Sequence, residues 1–133
     1  MESLLPTYAS SIYATGSLAG LMLIQVLIAD VVAIRSRHVP GTSIPNTHDS
    51  VLFRVSRTVA NINESVAIYV CALLFCCLTA ASPDYTAYCA WTYVAARTVY
   101  ALFYYLNLPT LRSISFAVSM LSLLAMVFVG ILT

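Results

Sequence analysis

The sequence predicts an all-α membrane protein, a four-transmembrane-helix up-down bundle forming one domain over residues 1–133. Three observations carry that expectation. Of the 133 residues, 61% are hydrophobic and only 8% are charged, where a soluble domain carries about 25% charge. Mean hydropathy is +0.91. Four apolar segments follow one another with polar connections between them, and three of them approach the roughly 20 residues that a helix needs to cross a bilayer. A net charge of +1 gives no electrostatic footprint for nucleic acid, so no such partner is expected.

The first segment runs from Tyr8 to Ile34, interrupted by Gln25 and Asp30. No basic residue precedes it and Glu2 is acidic, so it reads as a retained span rather than a secretory signal. The loop that follows, RSRHVPGTSIPNTHDSVLFR, holds two Pro, a Gly and several turn-forming residues. The second segment, Val66 to Ala81, is short for a span. It becomes long enough if its helix begins near Val51 or Leu52, inside the polar stretch RVSRTVANINESVAIY. The third segment runs from Thr86 to Leu106 and the fourth from Leu111 to Leu132. Tight turns at Ser82-Pro83-Asp84 and Asn107-Leu108-Pro109-Thr110 make the joined helices antiparallel neighbours. Cys71, Cys76, Cys77 and Cys89 lie in apolar runs without CxxC spacing or a nearby His. They read as small buried residues, and no metal site is expected.

All six basic residues are Arg. Arg35, Arg37, Arg54 and Arg57 flank the first loop, and Arg112 lies beside the third connection. The positive-inside rule then puts those loops in the cytoplasm and both termini on the non-cytoplasmic side. Counted at about 100° per residue, Arg54, Arg57, Asn61 and Glu64 share an arc of roughly 80°, and Tyr93, Arg97, Tyr100 and Tyr104 one of roughly 60°. Both stripes run toward the cytoplasmic end and suit one shared pocket. The same spacing also suits an ion-pair network inside a bundle, with Tyr100 and Tyr104 as interfacial belt residues. Arg97 lies too deep for easy snorkelling, so it needs a partner or a cavity. In LPTLRS, Thr110 is the expected N-cap. Arg112 and Ser113 then sit where free N–H groups and the helix dipole favour an anion and lower the pKa of a bound thiol. An Arg snorkelling from a helix end fits that position as well.

These residues resemble the MAPEG family, membrane-associated proteins in eicosanoid and glutathione metabolism. The resemblance rests on R-x-x-R-x-x-x-N-x-x-E (Arg54, Arg57, Asn61, Glu64), on ARTVYALFY, and on LPTLRS, and extends over nearly the whole chain. The compact loops and NESVAIYVCALLF look like bacterial members. The resemblance implies a homotrimer in a bacterial inner membrane, with glutathione as co-substrate bound between subunits and facing the cytoplasm. Arg57, Asn61 and Glu64 would hold the tripeptide from one subunit. Arg97, Tyr100 and Tyr104 would do so from the next, with Tyr93 at the deeper end; Arg35, and Arg54 within the motif, complete the binding set. Arg112, with Ser113, matches the position assigned to thiolate stabilisation. The implied function is a detoxifying glutathione transferase acting on hydrophobic electrophiles, with reduction of lipid hydroperoxides as a companion activity. A non-catalytic accessory or regulatory subunit of another membrane protein is the alternative. Ser65 stands where several characterised members carry a larger side chain, and Phe116 and Tyr100 depart from the prostaglandin-forming members, which turns the expectation away from a specific eicosanoid synthesis.

Overall fold

The computed structural model describes residues 4–133, and every regular element in them is helical. Glu2 lies outside the described residues. A single turn, α1 (Leu4–Thr7), precedes four long helices: α2 (Ala9–Arg35), α3 (Val51–Leu78), α4 (Pro83–Tyr105) and α5 (Pro109–Ile131). The polar stretch does open the second long helix, and α3 starts at Val51. Ser50 caps it by accepting a hydrogen bond from the Phe53 N–H at 3.3 Å, which satisfies one of the free donors of the first turn.

Two helices start on proline. Pro83 and Pro109 stand at the first position of α4 and α5, where a missing N–H costs nothing and a fixed φ is already helical. For α5 this displaces the expected cap. Leu108 takes the N-cap position without a side-chain bond, and Thr110 lies within the first turn. Three helices end alike. Arg37, Ala80 and Asn107 adopt left-handed φ of 54°, 55° and 56°. The following N–H groups of His38, Ala81 and Leu108 reach back to the carbonyls of Ala33, Cys76 and Phe103, closing the α2, α3 and α4 ends in Schellman fashion.

The long helices alternate in direction. At one end His48 meets Tyr104, and Thr58 donates to the Tyr105 hydroxyl. Midway, the Ser65 hydroxyl pairs with that of Tyr93. At the other end Cys76 donates to the Met126 carbonyl at 3.1 Å and Tyr8 to the Ala81 carbonyl at 2.5 Å. The core between them holds Ala14, Leu18, Ile62, Tyr69, Ala72, Tyr93, Leu123 and Met126. Its small residues let backbones approach, as in helix packing within lipid. Gly130 does so at the α3–α5 contact, where an added Cβ would lie 2.6 Å from the Phe75 ring.

Large apolar side chains cover the outside, among them Leu23, Leu27, Val31, Leu74, Leu121 and Phe128. Helices α2, α3 and α5 are long and apolar enough to cross a membrane. Helix α4 has 23 residues but is not among these three, because six Tyr and Arg97 lower its hydropathy. The cysteines diverge from a uniform burial. Cys76 is buried, Cys77 and Cys89 are half-buried, and Cys71 is exposed on the outer face of α3; all four are free thiols.

Candidate functional site

The two stripes meet through Arg97. Its residue is 1% exposed, although it lies in the middle of α4. One terminal nitrogen donates to Asn61 Oδ1 at 2.5 Å, and the other donates to Ser65 Oγ. Ser65 in turn pairs with the Tyr93 hydroxyl at 2.7 Å. Tyr93 stacks on Tyr69 with centroids 4.9 Å apart, and the Tyr69 hydroxyl meets Thr15 Oγ1 at 3.0 Å. A polar chain thus runs from Arg97 through the core to α2. The guanidinium also lies 5.5 Å from the Tyr93 ring centre and 5.4 Å from those of Tyr100 and Phe116, within cation–π reach. The Arg97 Nε is buried without a hydrogen-bond partner.

Above this group opens a cavity of about 200 Å³, lined by Asn61, Tyr100, Arg112, Ser113 and Phe116. Arg112 lies over the Tyr104 ring, 4.4 Å from its centre. On Tyr104 the connecting loop adds His48, whose Nε2 is 3.1 Å from the phenol oxygen and whose ring stacks at 5.8 Å. The Arg112 N–H closes the first turn onto the Leu108 carbonyl, and Ser113 Oγ donates to the Pro109 carbonyl at 3.0 Å.

Within one chain, Asn61, Arg97, Tyr100, Tyr104, Arg112 and Ser113 therefore gather at the cytoplasm-predicted end, with Tyr93 below them. The other predicted residues make no hydrogen bond to this group, although the Arg57 charge lies close enough to act on Tyr100. Arg57 and Glu64 are exposed on the outer face of α3 and have no hydrogen-bond or ion-pair partner among the described residues. Arg35 is exposed in the last turn of α2. Arg54 donates to the carbonyls of His48 and Asp49, at 2.5 and 3.2 Å, and so ties the loop to α3. Two participants escaped the sequence reading. Ser65 follows Asn61 by one turn on the same face, a signal that was present. His48 lies in an irregular loop 56 positions from Tyr104, where no periodicity applies.

The model of the MAPEG family matches residues 11–132. The chain belongs to the MAPEG family. A comparison with curated proteins gives no match. Membership in MAPEG places the chain in the glutathione and eicosanoid metabolism superfamily, which holds transferases, peroxidases and non-catalytic members. With three helices able to cross a bilayer, this MAPEG chain is an integral membrane protein.

Proposed function

We propose that the chain is a membrane-bound glutathione transferase that conjugates glutathione to hydrophobic electrophiles and reduces lipid hydroperoxides with the same thiolate. The carrying observation is the Arg97–Asn61–Ser65 cluster beneath a cavity bordered by Arg112 and Ser113. Glutathione in its thiolate form has two carboxylates, one sulfur anion and one ammonium. Arg57, Arg112 and Glu64 supply complementary charges for direct contact, and Arg97 adds a positive field from below. Arg112, at the start of α5, is the residue for the sulfur anion, helped by the helix dipole. Arg97 is too enclosed for bulky contact. It orients Asn61 and sets a positive field under the cavity.

Two features support a homotrimer with the site between subunits. A cavity of about 200 Å³ falls short of the roughly 300 Å³ at the small end of ligand pockets, so one chain supplies only part of the wall. Glu64 stands about 20 Å along α3 from its first residue and is exposed there. A carboxylate facing lipid at such a position is unfavourable by about 2.5–3.5 kcal/mol, and a neighbouring subunit removes that cost. Arg57 lies one face with it and joins the same boundary. In this reading all four long helices span a bacterial inner membrane, as one domain over 1–133, with both termini non-cytoplasmic and the site open to the cytoplasm. The apolar co-substrate arrives from the lipid. A groove of about 350 Å³ between α4 and α5, lined by Ala96, Val99, Ile114 and Val118, supports such lateral entry.

The test is direct. Purified trimer should bind glutathione at millimolar concentration or below and show thiolate absorbance near neutral pH. Arg112→Ala should reduce that absorbance at least tenfold at matched occupancy. An absence of glutathione binding at millimolar concentration would overturn the proposal.

A further inference from the structure

At the end of the bundle opposite Arg112, α1, α2 and α4 enclose a second cavity of about 230 Å³. Its wall includes Tyr8, Ser11, Asp84, Tyr88 and Trp91. Two of the aromatic members, Tyr8 and Trp91, are held in place. Tyr8 is buried with its hydroxyl on the Ala81 carbonyl, and the Trp91 indole N–H donates to Ser10 Oγ at 3.1 Å. Asp84 lies in the first turn of α4 and has no ion-pair partner among the described residues. No Lys occurs in the chain, and all six Arg lie toward the other end or in mid-bundle. Ser11 is wholly buried, and its hydroxyl has no hydrogen-bond partner.

Aromatic walls, one carboxylate and a spare hydroxyl, with no cationic side chain near them among the described residues, complement a positively charged group of low charge density. Ring faces attract such a cation electrostatically, and Asp84 supplies the counter-charge. The oxygen set is too small for Ca²⁺ or Mg²⁺, which take six or more ligands. An anion would meet Asp84 without compensation. We infer that this cavity binds an organic ammonium group, carried either on a zwitterionic lipid headgroup or on a free amine. It would hold that group at the membrane surface remote from the glutathione site, and it does not depend on that site.

Trp91 is the sole tryptophan, so the cavity carries its own reporter. Protein in detergent micelles is titrated with ethanolamine hydrochloride and with choline chloride, against sodium chloride at equal ionic strength. In parallel, protein in nanodiscs of phosphatidylcholine and phosphatidylethanolamine is compared with protein in phosphatidylglycerol discs. A saturable change in Trp91 emission, weakened about tenfold by Asp84→Asn as expected for loss of a charge-assisted contact, supports the inference. A response in micelles identifies a free amine as sufficient. A response confined to the ammonium-bearing discs identifies the headgroup. Emission that is insensitive to Asp84→Asn in both arms overturns it. Ser11→Ala, which keeps the charge, should weaken primary ethanolamine more than choline, because choline has no N–H to donate. Glutathione binding by the Asp84→Asn protein reports on the other end of the bundle separately.

Discussion

Replacing Ser65 with Ala removes a single oxygen from the middle of the bundle, and the structure sets what that should cost. Ser65 is 4% exposed. Its hydroxyl accepts from the Arg97 guanidinium and pairs with the Tyr93 hydroxyl, and Tyr93 is fully buried. A hydrogen bond to a charged group contributes about 1.5–3 kcal/mol, and a buried donor left without a partner costs about 1–3 kcal/mol. Interhelical bonds within membranes average nearer 0.6 kcal/mol. These bounds together place Ser65→Ala at about 2 kcal/mol of destabilisation. Ser17→Ala is the matched control, because Ser17 is exposed and bonds only the Tyr13 carbonyl of its own helix; it should stay within about 0.5 kcal/mol. Tyr93→Phe removes one of the two bonds. A double-mutant cycle between Ser65→Ala and Tyr93→Phe should show a coupling of about 0.5–1 kcal/mol. The assay is reversible denaturation in mixed micelles, followed by circular dichroism. Equal losses for Ser65→Ala and Ser17→Ala would refute the claim that Ser65 holds Arg97.

Two further outcomes follow from the helix ends. Ala80 is exposed at φ 55°, a conformation that costs a Cβ-bearing residue about 1–2 kcal/mol. Ala80→Gly should therefore stabilise by about 0.5–1 kcal/mol after the greater chain entropy of glycine is subtracted, read as a higher denaturation midpoint in the same micelles. Burial pushes the Tyr8 phenol above its ordinary value of 10.0, and the nearby Cys77 and Cys76 add to this. The folded state thus holds that proton more tightly. Its stabilisation is complete below pH 10.0 and is lost as pH rises through the raised value. The stability difference between the natural protein and Tyr8→Phe should be constant at neutral pH and shrink above about pH 10, measured by denaturation at stepped pH.

Much of the architecture was legible because membrane insertion imposes lengths. Val66–Ala81 is too short to span, and that shortfall alone moved the start of α3 back to Val51. The depth of Arg97 was equally readable, since no snorkelling geometry reaches the surface from mid-span. A helical wheel gives relative angles within one helix but no absolute rotation in the bundle. Asn61 and Glu64 share a stripe, yet the packed face of α3 runs through Thr58, Ile62, Ser65 and Tyr69. Asn61 therefore sits at its edge, while Arg57 and Glu64, farther round the stripe, are exposed. The same limit hid the role of Ser65, which spacing placed beside Asn61 without saying that Arg97 would arrive between them. At α5 the local rules competed. Thr110 is the better cap chemically, but Pro109 fixes the first helical position one residue earlier.

Arg97 connects these observations to the chemistry. Burying a guanidinium is unfavourable unless its charge is compensated, and here every contact is neutral. Asn61 and Ser65 accept its two hydrogen bonds, three ring faces surround it, and its Nε has no partner. No carboxylate among the described residues pairs with it. Dipoles and ring quadrupoles orient the cation but leave its net charge in place, so the field persists into the adjoining cavity. Arg112, at the rim, adds a second positive charge of the same sense. Glu64, on the same stripe of α3 as Asn61, is exposed and pairs with neither arginine among the described residues. A site arranged in this way favours an anion over a neutral occupant before any particular contact is made.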